Sequence, residues 1–451
     1  MREYINSRFA FSVFCILCIL FVVGCAPADI SSPSDSSSPL LQSTSRVTPK
    51  IVSTPVLQNE SKNIIVEKAN ESVKEKIEQK VDIEKNITVE KKVTVEKKIE
   101  LTFEQKVWKK RIETAMGSSS CPAVVTQTYP KEYYQGPLID THLHIPAMPD
   151  GMPEESEDGG WQEEDYTSQI NSEGAFGGPQ ALLGVNVKMS EIACTLKHEG
   201  TSRNFAFFPI YPEIYLPALE IANKTMMQYP TLFTSFIMPP TEDMPTVDAV
   251  VLRKMLQVYP TLFQGYGEVG SSPTEEKNPP VDDPIYLENY KLAREYKLVV
   301  YYHPGWNQVN NWKRVLEQHP DINFIVHAEE LEDDIDELMT KYPNIYYTAN
   351  PQFHQHFKLY VGKSKEEFLR AVEKDFDDLI EKDLQRWEKV IEKHPDRFMW
   401  GTDRGDAVWN YDIDVGLFLV KYGRAFIGRL DPSVQEKVGY MNAQRLIEER
   451  K

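Results

Sequence analysis

The sequence predicts an α/β fold, a (βα)8 barrel, and two observations support this prediction. Eight apolar segments, each of strand length, alternate with amphipathic charged runs between residues 138 and 403. Five of the charged runs end in a Tyr-Pro or His-Pro pair, such as Tyr229-Pro230. Proline disfavours helix in the residue before it, so each pair indicates a turn from helix to strand. Repeated strand and helix units favour a parallel sheet, and eight of them close into a barrel.

The eight segments give the predicted strands in chain order. The turns place His319 and His394 at the beginning of strands, away from the end that carries chemistry, so neither is given a catalytic role. The predicted strands are residues 138–144, 204–211, 232–238, 263–269, 298–303, 323–327, 345–350 and 398–403.

Ligand-type side chains lie near the carboxyl ends of five of these strands. His142 and His144 are two residues apart, so on a strand their imidazoles point to the same face. In a (βα)8 barrel the carboxyl ends of all strands meet at the active-site face, whereas an open doubly wound sheet would not bring strands one, four, five, six and eight to one point. The six residues are His142, His144, Glu268, His303, His327 and Asp403.

Imidazole and carboxylate ligands without thiolates indicate a divalent ion, with zinc preferred and manganese as the alternative. In the one-ion version, which we prefer from the sequence, His142, His144, His303 and Asp403 hold the ion. His327 then polarises the substrate, and Glu268 is a neighbouring or substrate-contacting group. In the two-ion version, Glu268 bridges the two ions. In both versions Asp403 is the general acid and base for a water that attacks a carbonyl.

The order of these ligands along the chain resembles the amidohydrolase superfamily. The closing Val438-Gly-Tyr-Met-Asn-Ala-Gln-Arg-Leu446 is similar to the final helix of its amidohydrolase-related (family 2) branch, and Gly267-Glu268-Val269 resembles the TatD-type deoxyribonuclease branch. The resemblance implies a metal-dependent hydrolase that acts on an amide, ester or lactone of a small molecule. Two alternatives remain: a decarboxylase of a small acid, and an envelope protein that binds without catalysis.

The amino-terminal residues predict a location outside the cytoplasm. Phe9 to Val23 is an apolar run, and Val22-Val23-Gly24-Cys25 resembles the lipobox at which bacterial lipoproteins are cleaved and lipidated on the cysteine. An uncleaved signal anchor is the alternative. We expect a cell-envelope protein attached to the membrane through Cys25. The predicted domains are a signal peptide (1–25), a disordered Ser/Pro-rich and Lys/Glu-rich charged tether (26–117) and the barrel (118–451).

The net charge of −18 argues against nucleic acid as a partner, because phosphate binding requires Lys and Arg. A homo-oligomer is compatible with the sequence. Cys121 and Cys194 suit either a disulfide or two free thiols. Two long insertions, 146–180 and 351–394, follow strand ends and are expected to overhang the barrel mouth as specificity elements. The second carries His354 and His356, which we predict to contact the substrate.

Overall fold

The eight predicted strands form one parallel sheet in sequential order. The computed structural model describes residues 101–146, 155, 187–241, 244–271, 279–349, 351–360, 363–405 and 408–450. Leu143 of the first strand pairs with Arg404, just beyond the eighth strand, and this pairing brings the two ends of the sheet together. The predicted barrel is confirmed. Its strands are β1 (Ile139–His144), β2 (Arg203–Pro209), β3 (Phe233–Met238), β4 (Gly265–Gly270), β5 (Val299–His303), β6 (Phe324–Val326), β7 (Ile345–Ala349) and β8 (Phe398–Trp400).

Helices alternate with the strands and cover the outside of the barrel. They bury apolar residues against the outer face of the sheet, where the larger of two hydrophobic clusters lies. The helices are α1 (Phe103–Met116), α2 (Met189–Glu199), α3 (Tyr215–Gln228), α4 (Ala249–Val258), α5 (Pro284–Tyr296), α6 (Val309–Gln318), α7 (Glu332–Lys341), α8 (His354–Tyr360), α9 (Lys365–Lys374), α10 (Phe376–Lys393), α11 (Ile413–Arg429), α12 (Pro432–Glu436) and α13 (Asn442–Glu448), with short 3-10 segments at Pro212–Ile214, Glu329–Leu331 and Val408–Tyr411.

The Tyr-Pro and His-Pro turns have the predicted position. A helix ends immediately before each of the five pairs, and a strand follows each of them. His319 and His394 therefore lie at the amino-terminal ends of β6 and β8, as expected. A capping box opens α9, since the Ser364 hydroxyl accepts a hydrogen bond from the Glu367 backbone N–H.

Aromatic side chains fill the barrel interior beneath the carboxyl ends of the strands. Phe205, Phe207, Phe236 and Tyr301 are all buried, and the ring centroids of Phe207 and Tyr301 are 4.8 Å apart. The rings of Phe205 and Phe236 stack at 5.2 Å. Close-packed rings of this kind exclude water. The candidate site thus has a dry, rigid floor.

Helix α1 belongs to the packed part of the chain, although the sequence assigns its residues to the tether. Val107 and Ala115 are fully buried, and the helix packs against α3. Thr102 caps its first turn by accepting a hydrogen bond from the Gln105 backbone N–H. The segment is mostly charged, so its few buried positions did not stand out as a packed helix face in the sequence. The signal segment with Cys25 and most of the predicted tether lie outside the described residues. Within the part of the chain that the structure describes, no helix is long and apolar enough to span a membrane.

Cys121 and Cys194 form a disulfide, which decides between the two states that the sequence left open. The bond joins the segment after α1 to helix α2 across 73 residues. Closing a loop of this length restricts the unfolded chain, and the chain-entropy estimate for the gain is about 4 kcal/mol.

Removing this disulfide is therefore expected to lower the free energy of unfolding by up to about 4 kcal/mol. We would compare the wild type with the Cys121→Ser/Cys194→Ser variant by urea denaturation. Adding a thiol reductant should destabilise the wild type to the level of the variant and leave the variant unchanged. Equal urea midpoints for the oxidised wild type and the variant would contradict the expectation.

Candidate metal centre

The six predicted ligands meet at the carboxyl ends of the strands. Strand β1 supplies two imidazoles, β4 a carboxylate, β5 and β6 one imidazole each, and the turn after β8 a second carboxylate. The placement follows from the parallel sheet, because every strand ends at the same face. The six residues are His142, His144, Glu268, His303, His327 and Asp403.

One group of ligand atoms forms around His142. Its Nε2 atom lies 2.9 Å from His144 Nε2, 3.0 Å from Glu268 Oε2 and 3.1 Å from Asp403 Oδ1. His144 Nε2 lies 3.0 Å from Glu268 Oε2 and 3.5 Å from Asp403 Oδ1. Four ligands placed about 2.1 Å from a tetrahedral ion are about 3.4 Å apart. The spacing and chemistry of this donor set therefore fit a divalent ion.

A second group forms around the other oxygen of Glu268. Glu268 Oε1 lies 2.5 Å from His327 Nε2 and 3.3 Å from His303 Nδ1. The two imidazole nitrogens are themselves 3.1 Å apart. The two oxygens of one carboxylate thus face different sets of imidazoles. His303 is the outermost of these residues, with 46% of its side chain exposed, whereas His327 is buried.

The two carboxylates are ionised in this site. Burial opposes ionisation, but the imidazoles of His327 and His142 hold the pKa of Glu268 well below its usual range. The imidazoles of His142 and His354 likewise outweigh the effect of burial on Asp403 and hold its pKa far below the usual value. Buried negative charge needs a positive partner. A divalent ion would meet that need.

The imidazoles of β1 respond to burial differently. Burial lowers the pKa of His142 to about 4, against the raising effect of Asp403. Burial also disfavours a proton on His144, but hydrogen bonds with the carboxylates of Asp403 and Glu268 raise its pKa to about 9. An ion that binds here must therefore displace a proton from His144, which makes metal binding weaker as the pH falls.

Tyr301 contacts a candidate ligand, and the sequence did not indicate this contact. Its hydroxyl lies 3.2 Å from Nδ1 of His142, and both side chains are buried. A partner on the second ring nitrogen fixes the orientation of an imidazole and directs the other nitrogen to the ion. Tyr301 sits in the apolar run Leu298 to Tyr302, where nothing in the sequence separates it from a core residue.

Gly267 makes room for the turn of chain that carries Glu268. Its φ angle is +124°, a region that favours glycine. A Cβ atom at this position would lie 2.2 Å from the backbone oxygen of Tyr301. Glycine is therefore required here both for its conformation and for the close approach of β5.

The structure separates the two histidines of the second insertion. His354 begins helix α8, and its Nε2 atom lies 3.2 Å from Oδ2 of Asp403. His356 lies elsewhere, with its Nε2 atom 3.9 Å from Asp375 and its ring stacked on Tyr360. Of this pair, the contact with the candidate ligands belongs to His354. Most of the first insertion lies outside the described residues, so its predicted role is still a prediction.

Comparison with known proteins gives the family. A family model described as amidohydrolase matches residues 139–448. The chain belongs to the amidohydrolase family. A search of curated proteins found no match. Together with the convergent ligands, family membership makes the protein a metal-dependent enzyme that takes a divalent ion.

Several solved structures are similar to this chain at low sequence identity. A dihydroxybenzoic acid decarboxylase from Polaromonas, with manganese and an inhibitor bound, is 12% identical, with a TM-score of 0.41 over 70% of this chain and 98% of its own. An amidohydrolase from Burkholderia multivorans with bound zinc is 11% identical, with a TM-score of 0.41 over 69% and 99%. A 4-oxalomesaconate hydratase from Rhodopseudomonas palustris is 14% identical, with a TM-score of 0.38 over 69% and 95%.

Proposed function

We propose that this amidohydrolase is an extracytoplasmic, lipid-anchored hydrolase with a two-ion centre bridged by Glu268. The observation that supports it best is the orientation of the Glu268 carboxylate. Its Oε2 atom lies 3.0 Å from both histidines of β1, and its Oε1 atom faces His303 and His327. Zinc suits this set of nitrogen and oxygen donors, and manganese is the alternative.

The two-ion version explains more of the geometry than the one-ion version that the sequence favoured. A single ion held by His142, His144, His303 and Asp403 needs His303 close to the β1 histidines. His303 instead contacts His327 and the far oxygen of Glu268. One ion would bind to His142, His144 and Asp403, the other to His303 and His327, and Glu268 would contact both.

Asp403 has the geometry of a general base and acid. Its Oδ1 atom faces the β1 histidines, while its Oδ2 atom lies 3.2 Å from His354 and 3.8 Å from Nδ1 of His327. Because its carboxylate is ionised, it can accept a proton from water and return it to a leaving group. A divalent ion supplies Lewis acidity here and makes water more acidic. His354 orients the Oδ2 atom of Asp403, and Glu268 holds His327 in place to bind the second ion.

This arrangement supports hydrolysis over decarboxylation. Hydrolysis needs one group that takes a proton from water and later protonates the leaving group, and Asp403 has one oxygen at the β1 histidines and the other at His354 for this role. Two ions held by these donor sets would activate a water and polarise a carbonyl next to it. We expect the substrate to be an amide, ester or lactone of a small molecule.

Metal analysis combined with a substrate panel tests this proposal. The chain purified without chelators, with zinc or manganese supplied, should contain a divalent metal and hydrolyse members of a panel of activated esters, lactones and anilides. A chelator should abolish the hydrolysis, and zinc or manganese should restore it. Release of carbon dioxide from small aromatic acids without any hydrolysis would support the decarboxylase alternative and contradict the proposal.

The disulfide supports a location outside the cytoplasm, since disulfides persist in oxidising compartments. If Cys25 is the lipidation site, Cys25→Ser should move the protein out of the membrane fraction or block its maturation. Fractionation and intact-mass measurement of the wild type and the variant check this. Cys15→Ser, a cysteine earlier in the apolar run, is the matched control and should not alter anchoring. Unchanged membrane attachment and mass in Cys25→Ser would contradict a lipoprotein.

A further inference from the structure

A buried ion pair includes Arg404, the residue that follows the candidate ligand Asp403. Arg404 donates to both carboxylate oxygens of Glu199, at 2.6 Å and 2.9 Å. A second carboxylate, that of Asp140, lies 3.8 Å from the same guanidinium. At most 3% of each of the three residues is exposed. None of them is a candidate ligand, and sequence patterns assign them no role.

This ion pair is connected to the ligands through the backbone. Arg404 follows the ligand Asp403, and its carbonyl accepts a hydrogen bond from the His144 N–H at 3.1 Å. The Asp403 N–H donates to the carbonyl of His142 at 2.9 Å. Arg404 therefore belongs to the seam that joins β8 to β1. A shift of Arg404 would therefore move three of the four ligands of the first group, namely His142, His144 and Asp403.

Asp140 fixes the same seam from the side of β1. Its Oδ1 atom accepts hydrogen bonds from the N–H groups of His142 and Thr402, at 3.0 Å and 2.9 Å. Its Oδ2 atom accepts a hydrogen bond from the Thr402 hydroxyl at 2.7 Å. The Asp140 carboxylate thus joins the chain before Asp403 to the chain before His144, and Arg404 lies next to it.

The conformation of Asp403 needs such support. Its φ angle is +49°, in the left-handed region that L-residues with side chains rarely adopt. Residues held in this region persist only where the surroundings fix them. Glu199 provides part of those surroundings from helix α2, and Gly416 of α11 leaves the space. A Cβ atom on Gly416 would lie 2.1 Å from Glu199 Oε1.

We propose that Glu199 is a positioning residue for the metal centre. Its ion pair with Arg404 holds Asp403, His142 and His144 in the arrangement that binds the ion. A buried ion pair adds little net stability over well-packed apolar side chains, so stability alone gives no reason for charges at this place. This inference rests on the proposed metal centre. It adds a residue that touches neither the ion nor the substrate.

Cobalt binding by the full chain separates a positioning role from a purely structural one. Three variants are compared with the wild type: Glu199→Gln, the double variant Glu199→Leu/Arg404→Met, and the control Glu295→Gln. Glu295 forms a bidentate ion pair with Arg253 on the surface, with both distances at 2.6 Å. For each protein we would measure the affinity for Co²⁺, the visible spectrum of the cobalt-loaded protein and the thermal midpoint.

We expect Glu199→Gln to weaken cobalt binding roughly 10- to 100-fold and to change the visible spectrum, because the ligands lose their fixed geometry. The double variant removes both charges of the Glu199–Arg404 pair, and the Asp140 carboxylate keeps its hydrogen bonds with His142 and Thr402, so the thermal midpoint of the double variant should lie above that of Glu199→Gln. Its cobalt affinity should stay low. The control should match the wild type in affinity and in spectrum.

Other results would overturn the inference in distinguishable ways. If the double variant recovers both the thermal midpoint and the cobalt affinity, the ion pair has only a structural role. If Glu199→Gln binds cobalt with the affinity and spectrum of the wild type, Glu199 does not position the ligands. If the wild type binds no metal at all, the proposed centre fails and this inference fails with it.

Discussion

Glu268→Gln is expected to reduce the bound metal from two ions per chain to one. Each oxygen of the Glu268 carboxylate faces a different pair of imidazoles. Glutamine keeps the size of the side chain but has one acceptor oxygen and no charge, so it cannot bridge two cations. The ion held by His142, His144 and Asp403 should remain. Elemental analysis and calorimetric titration of the metal-depleted protein measure both stoichiometries.

Glu329→Gln is the matched control, because Glu329 is an exposed carboxylate beyond the end of β6. It should keep two ions. A single ion in both the wild type and Glu268→Gln would contradict the bridge and restore the one-ion version that the sequence favoured. In that case Glu268 would act on the substrate or on a neighbouring side chain, as first expected.

The positions of the metal-centre residues along the chain could be predicted because they depend on strand ends. An apolar run that stops at a ligand-type side chain identifies both a strand and its functional end, as at His303. The parallel sheet then brings these ends together without any knowledge of side-chain packing. The proline turns identify the amino-terminal ends of strands in the same way. They place His319 and His394 at the end of the barrel opposite the ligands, where the structure also has them.

The residues that hold the ligands could not be predicted in this way. Tyr301 lies in an apolar strand, and Glu199 is one of several charged residues at the end of a helix. Each acquires a role only through a contact with a residue far away in the sequence, 159 positions for Tyr301 with His142 and 205 for Glu199 with Arg404. Local periodicity contains no information about such contacts.

The second insertion shows a different limit. The sequence treats His354 and His356 alike, whereas in the structure one contacts Asp403 and the other faces Asp375. Both belong to helix α8, where residues two apart point about 200° away from each other. Once a helix forms, the pair cannot share a target. No pattern in the sequence of this insertion indicated the helix that separates the two imidazoles.

Asp403→Asn is expected to abolish turnover, with a loss of at least roughly 10²- to 10⁴-fold in kcat, the range expected for a general acid or base. Asp403 is ionised in the site, and its two oxygens have different partners, the β1 histidines and His354. Asparagine keeps an oxygen for the ion but accepts no proton from water. The ion in the first group should therefore bind more weakly, while the remaining loss appears in kcat at saturating metal.

The control for this variant is Asp375→Asn, whose carboxylate is half-buried beside His356 and away from the candidate ligands, and which should keep both kcat and metal content. Rate and metal content must be measured together, because a protein that simply loses its ion is also inactive. If Asp403→Asn with a full complement of metal kept its kcat within tenfold, another residue would be the proton acceptor. His354 would then be the first residue to test, because its Nε2 atom lies 3.2 Å from Oδ2 of Asp403 and is therefore close to the same water.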